Sequence, residues 1–156
     1  GGGDLNFSRL IPGTIRSVLR GERPVIRSDG TPIRDYLYID DAVAAYLALG
    51  EQMTHPEVPG TAFNFGPGSP ISSLDIVRCV LDLCDARDVE PDVRGRGSLP
   101  GEIDRQYLDS ARAARVLGWQ ARIPLEGGLR RTVSWYRAFL APDREVTFAG
   151  AEVGSR

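Results

Sequence analysis

The stretch TPIRDYLYIDDAVAAYL, residues 31–47, concentrates the side chains best suited to chemistry. It places the guanidinium of Arg34 beside the carboxylate of Asp35 and the ring of Tyr36, shortly before a helical pattern begins near Asp40. A guanidinium is a planar fork of donors that binds two oxygens of a phosphate or a carboxylate at once. Two interpretations stay open: a structural corner in which Arg34 forms a salt bridge with Asp35 or Asp40, or an arginine that binds an anion.

Two predicted elements position this arginine. Apolar and polar residues alternate over 33–39, which predicts a strand. Asp40 or Asp41 is expected to cap a helix of roughly 41–53, so we interpret Asp41 as a helix cap and not as a catalyst. The apolar positions of this predicted helix are Val43, Tyr46, Leu47 and Leu49.

The rest of the chain alternates between helical patterns and short strand patterns. Ser8 is expected to cap a helix that runs to about Arg20. Ser72 and Asp75 form an approximate capping box for a helix of about 72–86. Further predicted elements are strands at 25–27 and 61–66, short strands near 92–94 and 106–108, a short helix from Ser110 to Gly118, and an amphipathic helix over 124–141.

This order of elements predicts an α/β or α+β domain over residues 1–141. The strands are too few and too short to form an independent sheet, so we expect them to contribute to a larger one. Residues 142–156 lack periodicity and are predicted to be a disordered tail.

Composition excludes several classes of function. With 156 residues, the chain is long enough for one domain with a hydrophobic core. A net charge of −2 provides no field that favours nucleic acid. No apolar run approaches the roughly 20 residues of a membrane span, and the start resembles no signal peptide. We therefore expect a cytoplasmic protein with neither a nucleic acid nor a membrane as its partner.

Few residues offer nucleophilic, metal-binding or acid–base chemistry. Cys79 and Cys84 lie on different sides of a predicted helix, which argues against a disulfide or a metal pair. The single histidine, His55, has no evident partner to orient it as a base. All 19 basic residues are arginine, so this chain supplies no lysine for a Schiff base or a phosphate loop. No catalytic residue and no metal site are predicted.

Four segments, in order, resemble one enzyme family. SDGTPIRDYLYIDDAVAAYLAL resembles the DG-x₃-RD-[YFW] passage of extended short-chain dehydrogenase/reductases, the NAD(P)-dependent nucleotide-sugar epimerases and dehydratases. The other three are RLIPGTIRSVLRGERPVIRSDG, AFNFGPGSPISSLDIV and the segment from PGEIDRQYLD to LGW and WYRAF. Together they cover nearly all of residues 1–141. The opening GGGD…RLIP and the arginine-rich helix look most similar to CDP-glucose or GDP-mannose 4,6-dehydratases.

Two motifs of this family, the NAD-binding turn and the catalytic pair, are missing from this sequence. The chain contains no G-x-x-G-x-x-G turn between a strand and a helix and, without lysine, no Tyr-x₃-Lys pair. It therefore resembles the C-terminal, sugar-nucleotide-binding half of a Rossmann-type enzyme. The family implies NAD or NADP in the full-length protein and none bound by this chain alone. It also implies a nucleotide-diphosphate sugar and a Rossmann half as partners, and commonly a dimer.

The resemblance assigns substrate-binding roles residue by residue. Arg34 is implied to bind the substrate diphosphate, and Tyr36 either supports that site or packs in the core. Arg27 lies where the family's base-contacting loop runs, or is merely solvated. Asn64 contacts the ligand or satisfies backbone groups in a turn. Arg9, Leu10, Ile11 and Pro12 match the segment that passes the base and the phosphates, although Leu10 and Ile11 are also plausible core residues.

One expected phosphate arginine is missing. The family places it ten residues before the aspartate that corresponds to Asp109, and this chain has Leu99 there. Arg96 or Arg105 could supply the missing positive charge only if the loop bends towards the phosphates. Losing one charge-assisted hydrogen bond lowers binding by about 1.5–3 kcal/mol, or roughly tenfold to a hundredfold in affinity.

Three interpretations of function follow from the resemblance. The first is the substrate-binding part of an NAD(P)-dependent nucleotide-sugar epimerase or 4,6-dehydratase, inactive alone. The second is a stand-alone, non-catalytic module that binds sugar nucleotides. The third is a truncated remnant whose motifs record ancestry without function.

Overall fold

The computed structural model describes residues 1–96 and 103–141. Five helices and five two-residue strands are found in these ranges, so the predicted mixed α/β class is confirmed. The helices are α1 (Leu10–Leu19), α2 (Ile39–Glu51), α3 (Ser73–Leu83), α4 (Ala111–Leu117) and α5 (Leu125–Leu140). The strands are β1 (Val25–Ile26), β2 (Ile33–Arg34), β3 (Ile71–Ser72), β4 (Asp92–Val93) and β5 (Arg105–Gln106).

Two small sheets connect distant parts of the chain. In the first, β1 pairs with β4 in parallel, with Val25 opposite Asp92. In the second, β2 lies between β3 and β5, antiparallel to β3 and parallel to β5. The predicted tail, residues 142–156, lies outside the described residues.

The main core lies between α1, α3 and α5. Tyr136 of α5 is completely buried, and its hydroxyl donates to the backbone carbonyl oxygen of Asp4. The predicted Ser72 cap of α3 is confirmed, because the backbone N–H of Asp75 donates to the Ser72 hydroxyl at 3.0 Å, and that hydroxyl donates to the Asp75 carboxylate at 2.6 Å. The core side chains are Ile15, Ile76, Val80, Leu129, Val133 and Tyr136.

A second core joins α2 to α4. Gly118 ends α4 in the left-handed region, with φ at 65°, which lets the chain turn back so that Trp119 is buried. The indole Nε1–H of Trp119 donates to the carbonyl oxygen of Asp41 at 3.2 Å. The buried residues of this cluster are Ala45, Val58, Ala113, Val116, Leu117 and Trp119.

Two predicted serine caps are wrong. Arg9, and not Ser8, occupies the N-cap position of α1, and the Ser8 hydroxyl donates to the Asn6 side-chain oxygen at 2.7 Å. Ser110 stands at the N-cap of α4 but makes no capping bond there. Its hydroxyl instead accepts from the N–H of Gly66 at 2.8 Å and donates to that residue's carbonyl oxygen at 3.1 Å.

The predicted strand 33–39 is wrong beyond Ile33–Arg34, because only these two residues find partners in β3 and β5. Helix α2 begins at Ile39 with Tyr38 as its N-cap. Asp41 is therefore not the cap. It is buried in the first turn, where its carboxylate accepts from the backbone N–H groups of Arg122 at 3.1 Å and Ile123 at 2.9 Å.

The apolar positions of α2 are mostly uncovered. Val43, Tyr46 and Leu47 are 51%, 77% and 62% exposed, whereas Leu49 is half-buried and packs against the second core. The predicted strand 61–66 is wrong, since this segment has no strand partner in the described part of the chain. None of the helices in residues 1–96 and 103–141 has the length and hydropathy of a membrane span.

Candidate functional site

A cavity of about 390 Å³ lies between α1, the turn before it, and the β1–β4 sheet. We call it the arginine cavity, because four guanidiniums line it. Its described lining is Phe7, Ser8, Arg9, Leu10, Gly13, Thr14, Arg16, Ser17, Val25, Ile26, Arg27, Ser28, Ser73 and Arg94.

Helix α1 places two of these arginines on one wall. Arg9 is the N-cap residue, and Arg16 follows two helical turns later on the same side. The guanidinium of Arg9 donates to the Asp4 carboxylate at 2.9 Å. The backbone N–H of Asn6, and then the guanidinium of Arg9, hold the pKa of Asp4 below its ordinary value.

Arg16 is positioned by packing. Its guanidinium carbon lies 4.5 Å from the centroid of the Phe7 ring, a cation–π contact. Its Nε is buried and has no hydrogen-bond partner among the residues that the structure describes. Arg16 is half-buried, whereas Arg9, Arg27 and Arg94 are exposed at the mouth of the cavity.

The β1–β4 pairing places Arg27 and Arg94 on the opposite wall. The N–H of Arg94 donates to the carbonyl oxygen of Ile26 at 2.9 Å, and the N–H of Gly95 donates to that of Ser28 at 3.1 Å. A Cβ at Gly95 would overlap the backbone of Ser28 and Asp29, so this approach of two backbones requires glycine. The two cationic side chains therefore leave the sheet side by side.

The charge of the cavity is one-sided. No Asp or Glu is among its described lining residues. Arg9 and Arg94 form ion pairs with Asp4 and Asp92, which lie outside that lining. Within the described ranges, neither Arg16 nor Arg27 has an acidic partner, and a bound anion would relieve the repulsion among the four cations.

Arg34 does not line the arginine cavity. Its Nη1 donates to the carbonyl oxygens of Ile33 and Ile103, both at 2.8 Å. Asp35 instead accepts from the N–H groups of Gly68 at 3.3 Å and Ser69 at 3.2 Å. The interpretation of a salt-bridged corner is therefore wrong for Arg34: Asp35 binds a glycine-rich turn, and Asp40 pairs with Arg131 at 3.2 Å.

Tyr36 lies in a different place from the cavity arginines. It lines a separate cavity of about 260 Å³ with Pro67, Ser69 and residues 121–125. Its ring also packs against the main core. Burial raises the pKa of the Tyr36 hydroxyl, and the nearby charge of Arg34 partly opposes this shift.

The arginine cavity thus brings together Arg9, Leu10 and Arg27 of the residues proposed from sequence. Buried Pro12 and the exposed Asn64, Arg96 and Arg105 do not line it. The side chain of Asn64 has no hydrogen bond to the described part of the chain, so the interpretation that it satisfies a turn is wrong. Leu99 lies outside the described residues.

Arg16 and Arg94 are the cavity residues that sequence reasoning missed. Arg16 follows Arg9 by seven residues in a predicted helix, and this spacing already places both on one face. Arg94 could not be found in the same way, because its position depends on the pairing of β1 with β4 across more than sixty residues of sequence.

The remaining reactive side chains form no site. Across residues 1–96 and 103–141, no group of three or more His, Cys, Asp or Glu is arranged to hold a metal ion. Cys79 and Cys84 are free and half-buried, and burial raises the pKa of both thiols. His55 accepts a hydrogen bond at Nδ1 from the N–H of Glu57 at 3.2 Å, within its loop.

Sequence comparison relates the chain to enzymes that act on nucleotide sugars. Residues 2–66 match the NAD dependent epimerase/dehydratase family. The dTDP-glucose 4,6-dehydratase 1 of Escherichia coli (strain K12) is 31% identical over 134 residues, covering 82% of this chain and 36% of that protein. The UDP-glucose 4-epimerase of Mycolicibacterium smegmatis is 33% identical over 121 residues, covering 78% of this chain and 36% of that protein.

Solved structures show a similar fold. The UDP-glucose 4-epimerase of Thermotoga maritima, crystallised with UDP-glucose, has a TM-score of 0.73 and 29% identity, covering 85% of this chain and 40% of that one. The dTDP-glucose 4,6-dehydratase of Bacillus anthracis, in complex with NAD, has a TM-score of 0.75 and 21% identity, covering 88% of this chain and 42% of that one. The second likeness supports the fold alone.

These matches share two properties. Their names contain dTDP-glucose or UDP-glucose. They therefore do not support the expected similarity to CDP-glucose or GDP-mannose 4,6-dehydratases in particular. The chain spans between 36% and 42% of the length of these relatives. The chain is therefore a partial member of the NAD-dependent epimerase/dehydratase family, with the mixed α/β architecture of the extended short-chain dehydrogenase/reductases.

Proposed function

We propose that residues 1–141 bind the nucleoside diphosphate of a nucleotide sugar and form the substrate-binding portion of an NAD(P)-dependent epimerase or 4,6-dehydratase. One observation carries the proposal: four guanidiniums and no carboxylate line the described part of the arginine cavity. Paired phosphates are the natural ligand of such a set, because each guanidinium donates to two oxygens at once.

The start of α1 supports the same ligand. No side chain caps the N-terminus of this ten-residue helix, and its first turn contains no acidic residue. The first backbone N–H groups of a helix attract anions, both through hydrogen bonding and through the helix dipole. Arg9, at the N-cap, adds its charge beside them.

A relative with a bound ligand supports the substrate class. The Thermotoga maritima epimerase, 29% identical to this chain, was crystallised with UDP-glucose. By this analogy the whole protein acts on a nucleotide-diphosphate sugar with NAD or NADP.

Although Arg34 does not line the arginine cavity, we keep it as a proposed diphosphate ligand, with Tyr36 supporting it. Only Nη1 of Arg34 is used in hydrogen bonds within the described residues, which leaves Nε and Nη2 as donors. For the second arginine, absent at Leu99, we propose Arg94 and not Arg96, because Arg94 lines the cavity.

The chain supplies neither turnover nor a site for NAD by itself. It has no lysine for a Tyr-x₃-Lys pair, and no Gly-rich turn between a strand and a helix. The exposed face of α2 and the unpaired segment 61–66 are suited to cover by a Rossmann NAD-binding half. We propose that half as the partner of this surface.

Calorimetric titration of the full 156-residue chain with UDP-glucose tests the proposal. We expect saturable binding that Arg27→Ala weakens about tenfold to a hundredfold, because one charge-assisted contact is lost. Arg112→Ala, an exposed arginine on α4, is the matched control and should bind like the parent chain. A mixture with NAD should show no conversion of the sugar.

Two results would contradict this proposal. If neither UDP-glucose, CDP-glucose nor GDP-mannose changes the heat signal or the melting temperature, the chain is a remnant without the binding function. If Arg27→Ala binds as tightly as the parent, the nucleotide does not occupy the arginine cavity.

A further inference from the structure

Arg16 differs from the other three arginines of the cavity. It is half-buried while they are exposed, and it makes no ion pair within the described residues. Its guanidinium packs on the Phe7 ring at 4.5 Å, and its buried Nε has no acceptor among the described atoms. A partly desolvated cation without hydrogen bonds is unfavourable in the free protein, so a ligand that brings acceptors gains more here than at an exposed arginine.

The position of Arg16 along α1 indicates which part of a ligand it meets. The diphosphate is proposed at the helix start, beside Arg9. Arg16 lies seven residues further on, about 10 Å along the helix axis at 1.5 Å per residue. That separation is comparable to the span from the phosphates to the base in an extended nucleoside diphosphate. A nucleotide whose diphosphate lies at the helix start and whose base extends along α1 would therefore have its base, and not a phosphate, nearest to the Cα of Arg16.

The side chains around Arg16 select among bases. The polar side chains of the described lining are guanidiniums, which only donate, and hydroxyls such as those of Ser17 and Ser28. No carboxylate, asparagine or glutamine is in that lining, so hydroxyls are the only side-chain acceptors that the described lining offers an amino group, whereas its guanidiniums favour a carbonyl oxygen. Cytosine, adenine and guanine each present an exocyclic amino group, whereas uracil and thymine present two carbonyl oxygens and one N–H.

Resting on the proposed function, we infer that Arg16 is a specificity-determining residue: its guanidinium, held on the Phe7 ring, donates hydrogen bonds to the O4 carbonyl oxygen of a uracil-type or thymine-type base, where cytosine has an amino group. The phosphates then supply most of the affinity through the exposed arginines. Arg16 supplies the preference for a keto base over an amino base.

The test measures affinity for UDP, dTDP and CDP by calorimetry with the full chain. UDP and CDP carry the same ribose and diphosphate, so a difference between them reports on the base. We expect the parent to bind UDP and dTDP at least tenfold more tightly than CDP. Arg16→Met keeps the apolar stem and should weaken UDP at least tenfold, change CDP less than twofold, and remove the preference. Arg16→Lys, which keeps the charge, should restore part of it.

Arg20→Met is the matched control. Arg20 follows one turn after Arg16, is exposed and does not line the cavity, so affinities and preference should stay those of the parent. Thermal melts of each variant check that the fold is retained, and Arg16→Lys provides a second variant if Arg16→Met is destabilised.

The outcomes separate this inference from the proposed function. Equal binding of UDP and CDP by the parent overturns the inference and leaves diphosphate binding intact. Equal weakening of UDP and CDP by Arg16→Met also overturns it, because Arg16 then acts on the phosphates or on the fold. If no nucleoside diphosphate binds, the proposed function itself fails, and the inference fails with it.

Discussion

Two tyrosines on two helices, Tyr136 on α5 and Tyr46 on α2, differ greatly in how far the chain covers them. Tyr136 on α5 is 0% exposed in the core between α1, α3 and α5, whereas Tyr46 on α2 is 77% exposed. Both occupy apolar positions of amphipathic patterns in the sequence. Helical periodicity therefore predicts which face is apolar, but it does not tell whether this chain itself covers that face.

The same contrast extends to the strands. On the closed side, β1 and β4 pair and hold the mouth of the arginine cavity. On the open side, segment 61–66 alternates in exposure as a strand does but has no partner in the described part of the chain. The cavity thus lies beside the paired strands, whereas the exposed apolar residues of α2 lie outside its lining.

The largest expected effect compares the two tyrosines directly. Tyr136→Ala should lower the free energy of unfolding by about 3–5 kcal/mol, because it leaves a cavity in the main core and removes a hydrogen bond to Asp4. Tyr46→Ala should change it by less than about 0.5 kcal/mol. Urea denaturation followed by circular dichroism measures both, and similar losses would show that the two sides are equally packed.

A second comparison uses two glycines. Gly95→Ala should destabilise the chain by about 1–3 kcal/mol and weaken nucleotide binding, because its methyl group would overlap the backbone at Ser28 and separate β1 from β4. Gly50→Ala in α2 meets no atom within 4 Å and should stabilise by up to about 1 kcal/mol. A neutral Gly95→Ala would contradict the close backbone approach that positions Arg94.

A third prediction concerns the open face of α2. Replacing Tyr46 and Leu47 with serine should leave unfolding within about 0.5 kcal/mol of the parent, because both side chains are exposed. It should reduce self-association in sedimentation and the binding of apolar dyes, since the uncovered patch is smaller. A large loss of stability would mean that this face is covered within the chain.

The smallest effect is expected at high pH. Burial raises the pKa of Tyr36 above the ordinary value of about 10, so the folded state favours the neutral phenol. This contribution is fully present below the ordinary pKa and is lost as pH rises through the raised folded pKa. Tyr36→Phe should remove that loss, so the variant unfolds at higher pH than the parent. Identical alkaline unfolding curves would contradict the assignment.

Local signals in the sequence predicted the parts of the fold that depend on neighbouring residues. The Ser72 cap of α3 and the buried face of α5 are examples, because each depends on residues within a few positions. Ser8 and Ser110 failed as caps because Asn6 and Gly66 offered their hydroxyls other partners. The predicted length of the strand over 33–39 was wrong because a strand extends only as far as its neighbouring strands pair with it.

The site shows the same limit. The sequence placed Arg9, Leu10 and Arg27 near a nucleotide, and the cavity brings these three together. The family resemblance also assigned Arg34 to the diphosphate, yet this arginine lies outside the cavity lining, with Nη1 held by two carbonyl oxygens. Arg94 reaches the cavity because β4 pairs in parallel with the distant strand β1. Nothing in the sequence within a few residues of Arg94 indicates that pairing.

The most direct test of the central claim is amide NMR of the full 156-residue chain during titration with UDP-glucose. Binding in the arginine cavity predicts that amide shifts concentrate in residues 7–17 and around Arg27 and Arg94. The amides of Val43 to Leu47 on α2 should stay unchanged. Shifts confined to α2 and segment 61–66, or no shifts at saturating UDP-glucose, would contradict the claim.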